Sequence, residues 1–103
     1  MINWENIRET CPKAWAMQSE YFKYDDADGT FHTRMLYDFF DEHEIIIGIT
    51  YYAAVEDMTL PYFEGDFTIN GEYDWDYDIQ KPTRPAAESA AFERAFQILE
   101  ERL

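Results

Sequence analysis

The chain has 103 residues, with 22 Asp and Glu against 8 Lys and Arg, a formal net charge of −14, and neither Lys nor Arg anywhere from Met35 to Gln80. A field of that sign repels phosphates, which argues against direct nucleic-acid binding and against attachment to an anionic membrane, and favours basic partners or divalent cations. With 47% hydrophobic and 18% aromatic residues, the composition is that of one folded domain burying about 65% of its unfolded surface, not of a disordered chain.

Cys11 is the single cysteine, so an internal disulfide and a multi-cysteine zinc site are both ruled out, and a reducing compartment fits. The opening MINWENIRET lacks the apolar stretch of a signal peptide. No apolar run approaches the ~18 residues of a membrane span. A soluble, cytoplasmic protein without a cofactor is expected.

Asn3 is placed to cap a short helix over 4–10 that carries Glu5 and Glu9. Pro12 suits the first turn of a second helix over 12–22, whose Ala14, Trp15, Met17, Tyr21 and Phe22 form a loose apolar side. YDDADGT (24–30) reads as a loop turning at Asp28-Gly29. With Gly29 at the glycine position of a calcium loop, Tyr24 and Met35 fall where acids are required, so that motif fails. In TRMLYDFFDEH (33–43), Leu36, Phe39, Phe40 and His43 share a helical spacing, with Thr33 as cap. EIIIGITYY (44–52) is β-branched and aromatic and predicts a strand. Its Ile45, Ile47, Ile49 and Tyr51 face one way; Ile46, Gly48, Thr50 and Tyr52 face the other, a set apolar enough for a central or partly covered strand. Pro61 argues against a central strand in AAVEDMTLPYF (53–63), which is expected to be a loop.

EGDFTINGEYDWDYDI (64–79) carries the clearest signal, an Asn70-Gly71 pair between two alternating runs, which predicts a tight hairpin. Phe67, Ile69, Tyr73, Trp75, Tyr77 and Ile79 are expected to face the core, leaving six acids and Thr68 outside. QKPTRP (80–85) is a linker in which Thr83 caps and Pro85 opens a final helix. That helix presents Ala91, Phe92, Ala95, Phe96, Leu99 and Leu103 on the side that covers the hairpin, with Glu93, Gln97, Glu100 and Glu101 opposite. The order of elements predicts an α+β domain spanning 1–103: N-terminal helices, a three-stranded antiparallel sheet turning at 70–71, and an amphipathic C-terminal helix on one sheet face.

The outward acids admit three readings. A sheet with one covered face needs polar residues outside, so solvation alone accounts for alternation. It does not account for so many acids, because like charges across strands are destabilising. Two or three carboxylates can hold magnesium or manganese for phosphoryl transfer, with Asp74 and Asp76 leaning onto one ion. Such an enzyme also needs a base and a cation for the transition state, and this region supplies no Lys or Arg. The third reading is a charged surface for a basic host or phage protein, with Glu64, Asp66, Asp74, Asp76 and Asp78 as its contacts and Tyr52 at its edge. Acids every ~6.8 Å along a strand approximate two base-pair rises of a DNA backbone, so a DNA-mimic inhibitor of a host nucleic-acid-binding protein is one form of it. Burial of the same face through Ile46 and Tyr52 in a weak dimer is opposed by the charge, leaving a monomer or weak dimer as the expectation.

Other chemistry is thin. The four glycines are scattered, with no phosphate-binding loop. Cys11 could pair with His32 or His43, but a lone cysteine reads first as a small buried residue and His32 as a loop histidine. No catalytic constellation and no metal site emerge.

CPKAW (11–15), LYDFFDEHEI (36–45) and AAFERAFQILEERL (90–103) together resemble a group of small proteins from phages and prophages of gut bacteria. In that group a Pro-Lys-Ala-aromatic segment precedes a Leu-Tyr-Asp-Phe-Phe-Asp-Glu motif, and the chain closes on a helix commonly introduced by Arg-Thr-Glu-Ala-Glu. Arg84-Pro85-Ala86 departs from that introduction, which touches capping and not chemistry. The resemblance covers about a third of the chain and implies a mobile-element context. It transfers no activity to any residue. A non-enzymatic interaction module is therefore the functional expectation.

Overall fold

The computed structural model describes residues 2–21, 33–53 and 60–103, with side chains given except at Tyr21, Thr33 and 74–78. The loop read at 24–30, His32 and the segment 54–59 lie outside the described residues. Helices α1 (Trp4–Thr10), α2 (Pro12–Tyr21) and α3 (Thr33–Glu42) precede strands β1 (Ile45–Tyr52), β2 (Tyr62–Ile69) and β3 (Glu72–Lys81), and α4 (Arg84–Arg102) follows. The strands form one antiparallel sheet in the order β1-β2-β3. The class is α+β, as the order of elements predicts.

Local chemistry sets the boundaries. The Asn3 side chain accepts a hydrogen bond from the Asn6 amide at the start of α1, and Thr83 accepts from Ala86 at the start of α4. Asn70 and Gly71 both take positive φ, +53° and +84°, as a type I′ turn demands. Helix α2 has no short polar cap of its own. Its first turn is completed from afar: the Glu100 carboxylate of α4 accepts from the Ala14 amide at 2.8 Å. Glu93 likewise accepts from the Asn3 amide at 3.2 Å. Both acids were expected on a solvated side of α4; they sit instead at the N-termini of α2 and α1, where a negative charge is favoured.

Helix α4 is the spine. It buries Ala87, Ala91, Phe92, Ala95, Phe96 and Leu99, while Leu103, expected on the same stripe, is largely exposed. Leu36, Phe39 and Phe40 of α3 pack against it, with the Phe40 ring 4.9 Å from Phe96 and Tyr37 4.9 Å from Phe92, both edge-on. The Leu-Tyr-Asp-Phe-Phe-Asp-Glu run is thus a packing motif, apolar at i, i+3 and i+4, with its acids outward. Cys11, just before α2, and Ala14 and Gln18 on it form the buried line, and Trp15 and Met17 are only partly covered. Among the described residues no helix is long and apolar enough to cross a membrane.

Two strand expectations are corrected. Strand β2 begins at Tyr62, inside the stretch expected to be loop; Pro61 sits just outside it, where its missing N–H costs no ladder bond. Among the described strands, β2 lies between β1 and β3, and β1 pairs with β2 alone. Tyr73, expected in the core, stands opposite Thr68 and is 53% exposed.

The last correction has a simple cause. A two-residue turn makes Ile69 pair with Glu72, so odd positions of β2 face even positions of β3. Directly opposite residues share a sheet face, and Tyr73 therefore joins Thr68 outside. The pairing continues with Phe67 opposite position 74 and Asp66 opposite position 75, then shifts. Beyond the shift Glu64 pairs with Gln80 and Phe63 with Lys81. Position sums move from 141 to 144, so β3 carries three extra residues opposite Gly65. An odd shift reverses the phase, and Ile79 returns to the core at 4% exposure. Gly65 permits this: a Cβ there would lie 2.8 Å from Ile79 Cγ2 and 3.4 Å from Ala91 Cβ.

One corner ties distant parts together. Glu44, with φ +58°, turns the chain from α3 into β1, and its carbonyl accepts from the Asn70 amide at 2.9 Å. Arg102 donates to the His43 carbonyl at 2.7 Å. With its amide oriented to suit both neighbours, Asn70 donates to Glu44 Oε2 and accepts from Arg102.

Candidate functional site: the outer sheet face

Helix α4 covers the sheet face of Ile45, Ile47 and Phe67. The opposite face carries Ile46, Gly48, Thr50 and Tyr52 from β1, Tyr62, Glu64, Asp66 and Thr68 from β2, and Tyr73 and Gln80 from β3. Among the described positions of this face there is no Lys or Arg; Lys81 shares the other face with Phe63. Three large side chains stand open on it: Ile46 at 45%, Tyr52 at 42% and Tyr73 at 53% exposure.

The two described acids are held by neutral donors. Thr50 Oγ1 donates to Asp66 Oδ2 at 3.1 Å, and Gln80 Nε2 donates to Glu64 Oε1 at 3.3 Å. Both are cross-strand contacts, the first diagonal and the second between direct ladder partners. They orient the carboxylates without cancelling their charge. The Glu64 charge, foremost, raises the Tyr52 pKa, with desolvation, a hydrogen bond to Glu64 and the neighbouring phenols of Tyr62 and Tyr73 adding to it. Tyr52 also stacks on Tyr62, its direct ladder partner, at 5.1 Å and 18°.

Asp66 leans toward β1. Its Oδ1 lies over Gly48, so close that a Cβ on that glycine would overlap it. Glycine in a strand often marks such an approach, and that was the one sequence signal for this detail. Tyr73 was legible too, had the odd register of a two-residue turn been applied to the whole hairpin.

The structure brings Glu64 and Asp66 onto one face. Asp74 stands opposite Phe67 in the ladder, and positions 76 and 78 fall in the stretch that passes Gly65 during the register shift. The five acids therefore do not follow one uninterrupted two-residue period along the ladder. The side chains of Asp74, Asp76 and Asp78 are outside the described set. Cys11 is 1% exposed and belongs to the core cluster. His43 sets its ring edge-on to Phe39 at 4.9 Å. Among the described residues no group of three or more His, Cys, Asp or Glu is placed to hold a metal ion.

No protein-family model, curated protein or solved structure matches the chain.

Proposed function

We infer that this is a non-enzymatic interaction protein, acting in the cytoplasm of a host of mobile elements, whose outer sheet face binds a basic protein. The observation that carries the reading is the composition of that face. Exposed Ile46, Tyr52 and Tyr73 surround carboxylates that have neutral partners and no described cation. Exposed aromatics amid uncompensated charge supply both contact area and sign selectivity: rings stack on or accept Arg and Lys, and acids pair with them.

The test is affinity capture from a bacterial lysate by wild type and by a Glu64→Gln/Asp66→Asn/Tyr73→Ala variant, with circular dichroism confirming that both are folded. Basic proteins retained by wild type, lost from the variant and released by salt support the reading. Identical capture by both proteins removes it.

A further inference from the structure

We propose that the outer sheet face takes arginine side chains of its partner in preference to lysine, with the Tyr52 ring as the platform on which a guanidinium lies and Glu64 as the carboxylate it pairs with. This rests on the reading of the outer face as the binding surface and names the residue type that the surface recognises.

The first observation is the ring. Tyr52 is 42% exposed in the folded chain. Its plane is set by Tyr62, its direct ladder partner, against which it stacks at 5.1 Å and 18°. A side chain already held in one orientation loses little freedom when a second flat group settles on it.

The second observation is the carboxylate beside the ring. Glu64 stands opposite Thr50 and diagonal to Tyr52, and its hydrogen bond with the Tyr52 hydroxyl sets the carboxylate at the edge of the ring. Gln80 holds Glu64 Oε1 from β3 at 3.3 Å. The acid is thus fixed from both neighbouring strands by neutral groups. Asp66, held by Thr50 through Oδ2 at 3.1 Å, adds a second negative charge two residues on, ~6.8 Å along the strand. Neither β1 nor β2 contains Lys or Arg.

The occupant follows from shape and charge together. A guanidinium is planar and donates within its plane, so it can lie flat on a ring and reach sideways to a carboxylate at the ring's edge. An ammonium is compact and strongly hydrated; it is drawn to the same charge but gains no flat contact. A second copy of this chain brings another −14, so pairing with itself sets like against like.

Three fluorescein-labelled nonapeptides, Gly-Xaa-Ser-Xaa-Gly-Xaa-Ser-Xaa-Gly, make the probe, with Xaa as arginine, lysine or citrulline. Citrulline keeps the planar shape of arginine and lacks its charge. Affinity is read by fluorescence polarisation at low and physiological salt, with circular dichroism confirming that each variant is folded. The arginine peptide should bind wild type about threefold or more tighter than the lysine peptide, and the citrulline peptide should not bind. Tyr52→Leu should abolish that preference by weakening the arginine peptide alone, Tyr52→Phe should keep it, and Glu64→Gln should weaken both charged peptides. If arginine and lysine peptides bind wild type equally and both weaken in Glu64→Gln, arginine selection is overturned while the surface reading stands. If the preference survives Tyr52→Leu unchanged, the ring is not the platform and the proposal is wrong. If neither charged peptide binds even at low salt, both readings fall. If wild type sediments as a dimer and Tyr52→Leu as a monomer, the ring belongs to a second copy and the proposal is overturned.

Discussion

Replacing Gly65 by alanine probes the place where the sheet changes phase. The new Cβ would sit 2.8 Å from Ile79 Cγ2, 3.3 Å from Ile79 Cβ and 3.4 Å from Ala91 Cβ. Carbon atoms in contact rest ~3.5–4.0 Å apart, so Ile79 must retreat by roughly 0.7 Å or more. It has little room, being 4% exposed beneath α4. Overpacking of this kind costs ~1–3 kcal/mol. The φ of Gly65 is not positive, so alanine is sterically admissible there and recovers ~0.4–1 kcal/mol from the unfolded chain. The difference is a net loss of up to ~2.5 kcal/mol, a substantial part of the ~5–15 kcal/mol that holds a domain together. Urea denaturation followed by circular dichroism should show a lower midpoint with an unchanged slope. The double variant Gly65→Ala/Ile79→Ala should be less destabilised than the two single losses summed, because the inserted methyl no longer meets a branched side chain. Additive losses would refute the close packing of Ile79 over Gly65.

Three further outcomes follow from contacts away from the outer face. Glu100→Ala removes the carboxylate that completes the first turn of α2 and should cost ~0.5–2 kcal/mol by chemical denaturation, whereas Glu101→Ala on the exposed side should cost less than ~0.5 kcal/mol. Tyr37 donates to Glu88 at 2.9 Å, and burial, then that hydrogen bond and the Glu88 charge, push its pKa well above the usual range against a smaller opposing pull from Arg84. The folded protein holds this proton more tightly than the unfolded chain, so the stabilisation is complete below pH ~10 and lost as pH rises beyond it; wild type should lose stability more steeply there than Tyr37→Phe, and parallel curves would contradict this. Asp41 has its pKa raised by desolvation and then by Asp38, and it stands in the last turn of α3, the wrong end for an acid. Its ionisation therefore works against folding as pH rises above the carboxylate range, so Asp41→Asn should stabilise by ~0.3–1 kcal/mol at pH 7, with the gain fading as pH falls to about 4, the ordinary aspartate value, because the folded carboxyl has by then taken up its proton.

The parts of the fold that were legible depend on neighbours in sequence. Asn70-Gly71 can adopt the two positive φ values cheaply, Thr83 precedes Arg84-Pro85 as a cap, and the alanine and phenylalanine spacing of α4 marks its buried side. What escaped depends on counting across strands or on distant partners. The alternation from Glu72 to Ile79 is uninterrupted in the sequence, yet its phase relative to β2 changes at Gly65; periodicity reports alternation but not which alternate face is inside. Alternation alone therefore puts Tyr73 in the core, although the hairpin turn places it opposite Thr68. Glu93 and Glu100 look like solvated helix residues because their partners, Asn3 and Ala14, lie far away along the chain. At the candidate site, Glu64 and Asp66 were legible as outward acids, whereas the tilt of Asp66 over Gly48 needs two adjacent strands to be seen at once.

The three-residue slip in β3 also limits how this chain can change in length. Deleting or inserting one residue between positions 75 and 79 would carry Ile79 away from α4 and turn its backbone neighbour inward. Changing the length by two would preserve the side it points to. Homologous chains with gaps in this stretch should therefore differ by even numbers, and an odd gap should come with a compensating change at the Asn70-Gly71 turn or at Gly65.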